Sequence, residues 1–155
     1  MSVCQINKME AMFMTAEFEW DGRCLLGHQG IDNAHREFAV LVDAMLSASD
    51  RDFPAALDAF ALHAERHFHE ENLLMSLRGF PARDSHMDEH DQVLASVREA
   101  QTHVALGDLD IGRELARALA DWFPGHADYL DSALATWLLG RTNATPSQTV
   151  GPEIT

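Results

Sequence analysis

The sequence predicts an all-α protein, an antiparallel up-down four-helix bundle with an irregular N-terminal arm. Four segments repeat apolar residues every three or four positions, which is the pattern of a helix with one buried face. Short connections separate these segments, and short connections favour antiparallel neighbours. No strand pattern competes with the four helical segments.

The first predicted helix covers about residues 33–48. Asp32 or Asn33 can cap its N-terminus, because a short polar side chain accepts a hydrogen bond from the first turn of a helix. One face of this helix then carries a histidine among apolar residues: His35, Phe38, Val42, Met45 and Leu46.

The second predicted helix opens near Asp52 and runs to about residue 77. Pro54 suits its first turn, and Gly79 and Pro81 end it. The residues aligned on its apolar face are Leu57, Phe60, Ala64, His67, Glu71 and Leu74.

The third predicted helix covers about residues 84–106 and stops at Gly107. Its apolar face comprises His86, His90, Val93, Val97, Ala100 and Val104. The fourth predicted helix covers about residues 109–139. Its apolar face comprises Ile111, Leu115, Leu119, Trp122, His126, Leu130, Leu134 and Trp137.

The fourth helix contains an irregular spacing. His126 and Asp131 are five residues apart, which places them about 140° apart around an ideal helix. Pro124, next to Gly125, also removes a backbone hydrogen bond one turn upstream. A local change to i→i+5 hydrogen bonding, which occurs at functional sites, would align the two residues. We therefore predict a π-helical turn between residues 126 and 131.

The two ends of the chain lack this periodicity. Residues 1–17 are predicted to be a loose leader, or to precede a translation start at Met12 or Met14. Residues 18–31 hold large apolar groups among glycines and are predicted to pack on the bundle as an irregular arm. The bundle domain is thus expected at residues 18–139, and residues 140–155 are expected to form a disordered tail.

The composition excludes several classes of protein. The 155 residues are 46% hydrophobic, enough for one core, and no stretch is long enough to span a membrane. Eleven basic against 25 acidic residues give a net charge of −14, which argues against nucleic acid or an anionic membrane as a partner. Two cysteines and no export signal favour the cytoplasm.

Five histidines and two carboxylates fall at the centres of the apolar faces. Residues four apart lie on the same side of a helix, so His67 faces the same way as Glu71, and His86 the same way as His90. An unpartnered imidazole or carboxylate is costly to bury, so these groups must be satisfied together. Five imidazoles and two carboxylates are what two adjacent iron ions require. The seven residues are His35, His67, Glu71, His86, His90, His126 and Asp131.

The order and spacing of these residues resemble the hemerythrins, in particular the bacterial single-domain members, over about residues 18–139. Two departures are mild: Asn72 stands where a second acid is frequent, and Pro124-Gly125 precedes the fourth-helix histidine. The matching motifs are Ile31-Asp32 before His35, His67-Phe68-x-x-Glu71, Leu74-Met75, Gly79-Phe80-Pro81, His86-x-x-x-His90, and Trp122-x-x-x-His126-x-x-x-x-Asp131.

The resemblance implies a non-haem di-iron centre with a hydroxo or oxo bridge, on which dioxygen binds reversibly. The open position would be on the iron held by only two histidines. The resemblance assigns three histidines to one iron, two to the other, and both carboxylates to bridging: His86, His90 and His126; His35 and His67; and Glu71 and Asp131. A non-enzymatic role in oxygen storage, delivery or sensing follows, with dioxygen and a separate oxygen-consuming or signalling protein as expected partners.

Large apolar residues near the ligands are predicted to keep the oxygen pocket dry, although core packing explains each of them equally well. These candidates are Phe38, Phe60, Phe68, Trp122 and Leu130. Of the other histidines, His63 lies four residues before His67 and is expected to be solvated or to support a ligand. His69 and His103 are expected at the surface.

Other functions stay open at this point. A di-iron centre could instead reduce peroxide or nitric oxide, or deliver iron for repair, and weak peroxidase activity fits the same ligands. The segment His86-x-x-Glu89-His90 also reads as the inverted zinc-peptidase motif, with Glu89 as general base. The zinc interpretation leaves the other five candidate ligands unexplained.

Overall fold

The structure, a computed structural model, describes residues 25–142. The helices are α1 (Gln29–Ser47), α2 (Phe53–Arg78), α3 (Arg83–Ala105), α4 (Leu109–His126) and α5 (Ser132–Thr142), and a π-helical segment (Ala127–Asp131) joins α4 to α5. Several predictions fall outside the described residues. These concern the predicted leader, residues 18–24 of the predicted arm, both cysteines, and residues 143–155 of the predicted tail.

The helices form the predicted antiparallel four-helix bundle. Helix α1 packs against α2 and α4, and α3 packs against the same two helices, so the four rods close around one core. The α4–π–α5 unit is the fourth rod and extends two residues past Gly140, where the tail was predicted to start. Among residues 25–142, none lies in a strand, and no helix has both the length and the apolar character needed to cross a membrane.

The apolar core consists of two clusters at different levels of the bundle. The larger cluster includes Phe38, Phe60, Phe68 and Phe123, all at most 1% exposed. The smaller cluster lies toward the other end and comprises Ile31, Met75, Phe80, Leu134, Ala135 and Leu138. The polar residues singled out in the sequence lie between these two clusters along every rod, so a polar layer crosses the interior.

The start of α1 differs from the prediction. The helix begins at Gln29, and His28 is its cap, because its Nδ1 accepts a hydrogen bond from the backbone N–H of Ile31 at 3.3 Å. Neither Asp32 nor Asn33 caps the helix. The Asp32 carboxylate instead accepts backbone N–H groups from Leu26 and Gly27, at 2.7 and 3.1 Å, and so fastens the preceding segment to the bundle. Other predicted ends hold: Gly79 ends α2 with φ 62°, and Gly107 follows α3 with φ 90°.

Part of the buried face of α4 lies one residue further along the chain than predicted, whereas the predicted Leu119 and His126 are buried as expected. Ile111, Leu115 and Trp122 are only partly buried, and they flank the core. The buried positions of α4 are Gly112, Ala116, Leu119, Phe123 and His126. Gly112 allows the α4 backbone to lie close to Phe53 of α2, which explains why a large apolar residue does not mark this position of the face.

We expect Gly112→Ala to destabilise the protein. An added Cβ at this position would lie 2.5 Å from Cε1 of the fully buried Phe53 and 2.9 Å from Cγ2 of Val104. Overpacking of this kind costs about 1–3 kcal/mol, which exceeds the gain of up to about 1 kcal/mol from replacing a helical glycine. Urea denaturation of variant and wild type in the same metal state measures the difference.

Gly125→Ala is the matched control. Gly125 also lies in α4, but an added Cβ there would have no heavy atom within 4 Å. This variant should be as stable as the wild type or slightly more stable. Equal effects of the two substitutions would contradict the close approach of α4 to Phe53.

Candidate metal centre

All seven residues predicted as ligands converge inside the bundle, and all seven are buried. Their nitrogen and oxygen atoms form two groups that share one glutamate. The first group is Glu71, His86, His90, His126 and Asp131, and the second is His35, His67 and Glu71. Within each group the potential ligand atoms lie within 4.8 Å of one another.

The π-helical segment brings Asp131 into this cluster. The backbone N–H of Ser132 bonds to the carbonyl of Ala127, five residues earlier, so the turn is wider than an α-helical one. Asp131 therefore faces the same side as His126, although the two are five residues apart. The predicted change to i→i+5 bonding is confirmed.

Glu71 spans the two groups with its two carboxylate oxygens. Oε1 lies 3.5 Å from Nε2 of His67, whereas Oε2 lies 3.4 Å from Nε2 of His90 and 3.7 Å from Nε2 of His86. Both oxygens are buried, and neither has a hydrogen-bond partner among the described residues. The carboxylate is thus oriented toward both groups without a proton donor for either oxygen.

Asp131 spans the same gap from the opposite rod. Oδ2 lies 2.8 Å from Nε2 of His35, on the side of the two histidines. Oδ1 lies 2.9 Å from Nε2 of His86 and 3.2 Å from Nε2 of His126, on the side of the three histidines. Each carboxylate therefore places one oxygen toward each histidine group.

The ring nitrogens that face inward are spaced as the ligands of a metal ion would be. Nε2 of His126 lies 3.2 Å from Nε2 of His86 and 3.3 Å from Nε2 of His90. Nitrogen and oxygen donors at about 2.1 Å from an octahedral metal ion are about 3 Å from their neighbours, which matches these separations. Since uncompensated buried polar atoms are costly, a donor set of imidazoles and carboxylates at this spacing fits metal ions well.

Two of the histidines are held from outside by their second ring nitrogen. Nδ1 of His90 donates to Oδ1 of Asn72 at 2.8 Å, and Nδ1 of His126 donates to Oε2 of Glu89 at 3.0 Å. A proton on Nδ1 leaves the lone pair on Nε2, so these bonds direct each lone pair into the cluster. Asn72, noted in the sequence as a departure, still supplies an acceptor oxygen.

Burial keeps two imidazoles neutral and available. It lowers the pKa of His67 to about 3 and that of His90 to about 2. The pKa of His126 is raised, because Asp131 and Glu89 outweigh the effect of burial. At neutral pH, His67 and His90 therefore offer free lone pairs, which is the form that binds metal.

The two carboxyl groups shift in opposite directions. Burial, together with the nearby Asp131, raises the pKa of Glu71 well above its ordinary value. Burial alone would also raise the pKa of Asp131, but hydrogen bonds from His126, His35 and His86 hold it well below its ordinary value. The metal-free cluster thus retains one stabilised carboxylate and one whose charge is costly to bury.

The predicted wall residues divide into buried and partly buried groups. Phe38, Phe60 and Phe68 are at most 1% exposed, and Phe68 stacks on the His90 ring at 4.0 Å. Trp122 is partly buried and contacts the His126 ring at 4.3 Å, and Leu130 is also partly buried. Phe60 contacts Phe38 at 5.1 Å.

Phe123 is the wall candidate that the sequence analysis missed. Its ring meets the His35 ring edge-on at 5.1 Å and stacks on Phe38 at 4.3 Å, so it covers the side of the two histidines. Its position three residues before His126 places it on the same side of α4. The one-residue shift of the buried face explains the omission.

His63 is buried rather than solvated. It is 3% exposed, its ring stacks on that of His67 at 5.5 Å, and its Nδ1 lies 3.2 Å from Oε2 of Glu37. Glu37 in turn accepts a hydrogen bond from Arg66 at 2.9 Å. His63 therefore supports a candidate ligand, the other role expected for it. His69 is exposed, and His103 is partly exposed and bonds to Asp108.

The position of Glu89 argues against the zinc-peptidase interpretation. Its carboxylate contacts Nδ1 of His126, on the far side of the ring from the inward-facing Nε2. A general base must reach the water that the metal activates, and that water would lie on the Nε2 side. Glu89 supports a histidine in this fold.

An antiparallel four-helix bundle with a buried histidine and carboxylate cluster defines a class of helical metal-binding proteins. The model of the hemerythrin HHE cation binding domain matches residues 26–138 of this chain. The chain therefore belongs to the hemerythrin family, which binds non-haem iron.

Two relatives of this chain are both described as bacteriohemerythrins. A bacteriohemerythrin of Ralstonia nicotianae is 42% identical over 123 residues, which cover 79% of this chain and 90% of that protein. A bacteriohemerythrin of Methylococcus capsulatus is 22% identical over 104 residues, which cover 64% of this chain and 79% of that protein. No solved structure matches the chain significantly.

Glu71→Gln is expected to stabilise the metal-free protein and to weaken metal binding. Below about pH 4.5, the ordinary pKa, glutamate is protonated in both the folded and unfolded states, so its ionisation costs no stability. As the pH rises from there to the raised folded-state pKa, the unfolded chain ionises first and wild-type stability falls. The glutamine has no charged form, so its advantage should grow with pH over that window.

Chemical denaturation across this pH range, with and without ferrous iron, tests the expectation. Iron should stabilise the wild type and reverse the order of the two proteins. Glu70→Gln removes the neighbouring exposed carboxylate and is the matched control. Identical pH profiles for the two variants would contradict a charge cost at Glu71.

Proposed function

We propose that this protein binds dioxygen reversibly at a non-haem di-iron centre, for oxygen storage, delivery or sensing. The observation that carries the proposal is the pair of carboxylates, Glu71 and Asp131. Each directs one oxygen to a group of three histidines and the other to a group of two. A donor set divided in this way suits two neighbouring ions with unequal numbers of protein ligands.

The proposed ligand assignment follows this division. The second ion would receive one histidine fewer than the first, which leaves room for an exogenous ligand. When bound here, two ferrous ions would supply the electrons for reversible dioxygen binding. The assignment is His86, His90 and His126 to one ion, His35 and His67 to the other, and Glu71 and Asp131 to both.

The charge of the protein ligands favours reversible binding of dioxygen rather than oxidation of a separate substrate. Five of the seven donors are imidazoles, which bind metal in the neutral form. Sites rich in carboxylates stabilise iron of higher charge, whereas this set contributes only two negative charges. We therefore propose a non-enzymatic role, with dioxygen as the ligand. A cytoplasmic location and a separate oxygen-consuming or signalling partner stay predictions from the sequence.

The aromatic side chains around the cluster would exclude water from the dioxygen site. Phe123 lies beside His35, in the group with two histidines, and Phe38 stacks on Phe123; both are at most 1% exposed. Phe60, Phe68, Trp122 and Leu130 are proposed to complete the wall. Water or protons entering this space would promote loss of the bound ligand and leave ferric iron.

Iron loading and gas exchange test the proposed function. Protein loaded anaerobically with ferrous iron should hold two irons per chain, develop visible absorption in air, and lose that absorption on degassing. Steady consumption of peroxide or nitric oxide with a reductant would instead support a reductase. Zinc with peptidase activity, or a single metal ion per chain, would contradict the proposal.

Phe123→Tyr should accelerate autoxidation several-fold, because the added hydroxyl introduces a proton donor beside His35. The decay of the oxygenated absorption to the ferric spectrum measures the rate. Phe80→Tyr is the control, since this buried ring lies in the smaller apolar cluster and contacts the Trp137 ring. If both variants decay at the wild-type rate, the wall has no protective role.

A further inference from the structure

The three histidines of the larger group differ in what their outer ring nitrogen contacts. Nδ1 of His126 donates to the carboxylate of Glu89 at 3.0 Å, and Nδ1 of His90 donates to the amide oxygen of Asn72 at 2.8 Å. Nδ1 of His86 is buried and has no hydrogen-bond partner among residues 25–142. At Nδ1, His126 thus has a charged partner, His90 has a neutral partner, and His86 has none among residues 25–142.

A carboxylate changes an imidazole more than an amide does. A hydrogen bond to an ionised acceptor is roughly twice as strong as one between neutral groups, and it increases the electron density on the opposite ring nitrogen. The side chain of Glu89 is 44% exposed, whereas that of His126 is 1% exposed. Water therefore solvates the charge of Glu89, while Oε2 of the same carboxylate accepts the hydrogen bond from the buried His126 ring.

We infer that Glu89 is a positioning residue, which fixes the orientation of His126 and makes it the strongest imidazole donor of this three-histidine group. The inference deepens the proposed metal function and rests on it. Since a stronger donor favours the more highly charged ion, Glu89 would also lower the reduction potential of a centre loaded with iron. Asn72, the neutral partner of His90, would leave that histidine the weaker donor.

Binding of Co²⁺ to the metal-free full-length protein, in competition with a chromophoric chelator, tests the inference. Glu89→Gln retains a hydrogen-bond acceptor and removes the charge, and it should weaken Co²⁺ binding by about tenfold. Asp88→Asn removes the adjacent exposed carboxylate, for which no contact with a ligand is seen, and should leave the affinity unchanged. Circular dichroism verifies that both variants fold.

A compensating substitution separates a change in donor strength from a structural defect. Asn72→Asp gives His90 a charged partner and should tighten Co²⁺ binding several-fold. In the double variant Glu89→Gln, Asn72→Asp, most of the lost affinity should return. In the iron-loaded protein, the midpoint potential should rise in Glu89→Gln, fall in Asn72→Asp and stay constant in Asp88→Asn.

The outcomes distinguish this inference from the proposed function. If Glu89→Gln binds Co²⁺ as tightly as the wild type, or if Asp88→Asn weakens binding equally, Glu89 is not a positioning residue, whatever the response to dioxygen. If the Co²⁺ affinities follow the expected order but the iron-loaded wild type does not bind dioxygen reversibly, the proposed function is wrong and the role of Glu89 stands.

Discussion

The structure depends on a layer of polar side chains buried between two apolar clusters. Each rod contributes at least one imidazole or carboxylate at this level, and the donor atoms face one another instead of solvent. Such groups are not all satisfied by hydrogen bonds among themselves, because Nε2 of His67 and both carboxylate oxygens of Glu71 have no hydrogen-bond partner among residues 25–142. Metal ions between them would convert a repulsive interior into a set of bonds that ties all four rods together.

In this arrangement the apolar clusters stabilise the fold, whereas the polar layer between them supplies the candidate metal ligands. The larger apolar cluster packs three rods through phenylalanines and leaves no space where Gly112 meets Phe53. The polar layer contains one carboxylate that its hydrogen bonds stabilise, Asp131, and one buried carboxyl group, Glu71, whose charge opposes folding. The bundle can therefore fold around a costly layer because burial of the neighbouring phenylalanines, at roughly 1.5–3 kcal/mol for each fully buried side chain, offsets that cost.

The sequence predicts the fold and the composition of the cluster because both depend on local spacing. Helical periodicity, the glycines that end α2 and α3, and the five-residue interval before Asp131 are all local signals. The sequence fails where a position depends on contacts between distant segments. Asp32 looks like a helix cap but binds the backbone of the preceding segment, and α4 turns Gly112 inward because Phe53 lies against it.

The π-helical segment has a further effect on the end of the bundle. A turn with one additional residue rotates everything that follows by about 100° relative to a regular helix. In this rotated phase, Leu134, Ala135 and Leu138 all lie in the smaller apolar cluster. One additional residue in the fourth rod therefore orients the buried Asp131 carboxylate and also sets which side of α5 packs into the smaller apolar cluster.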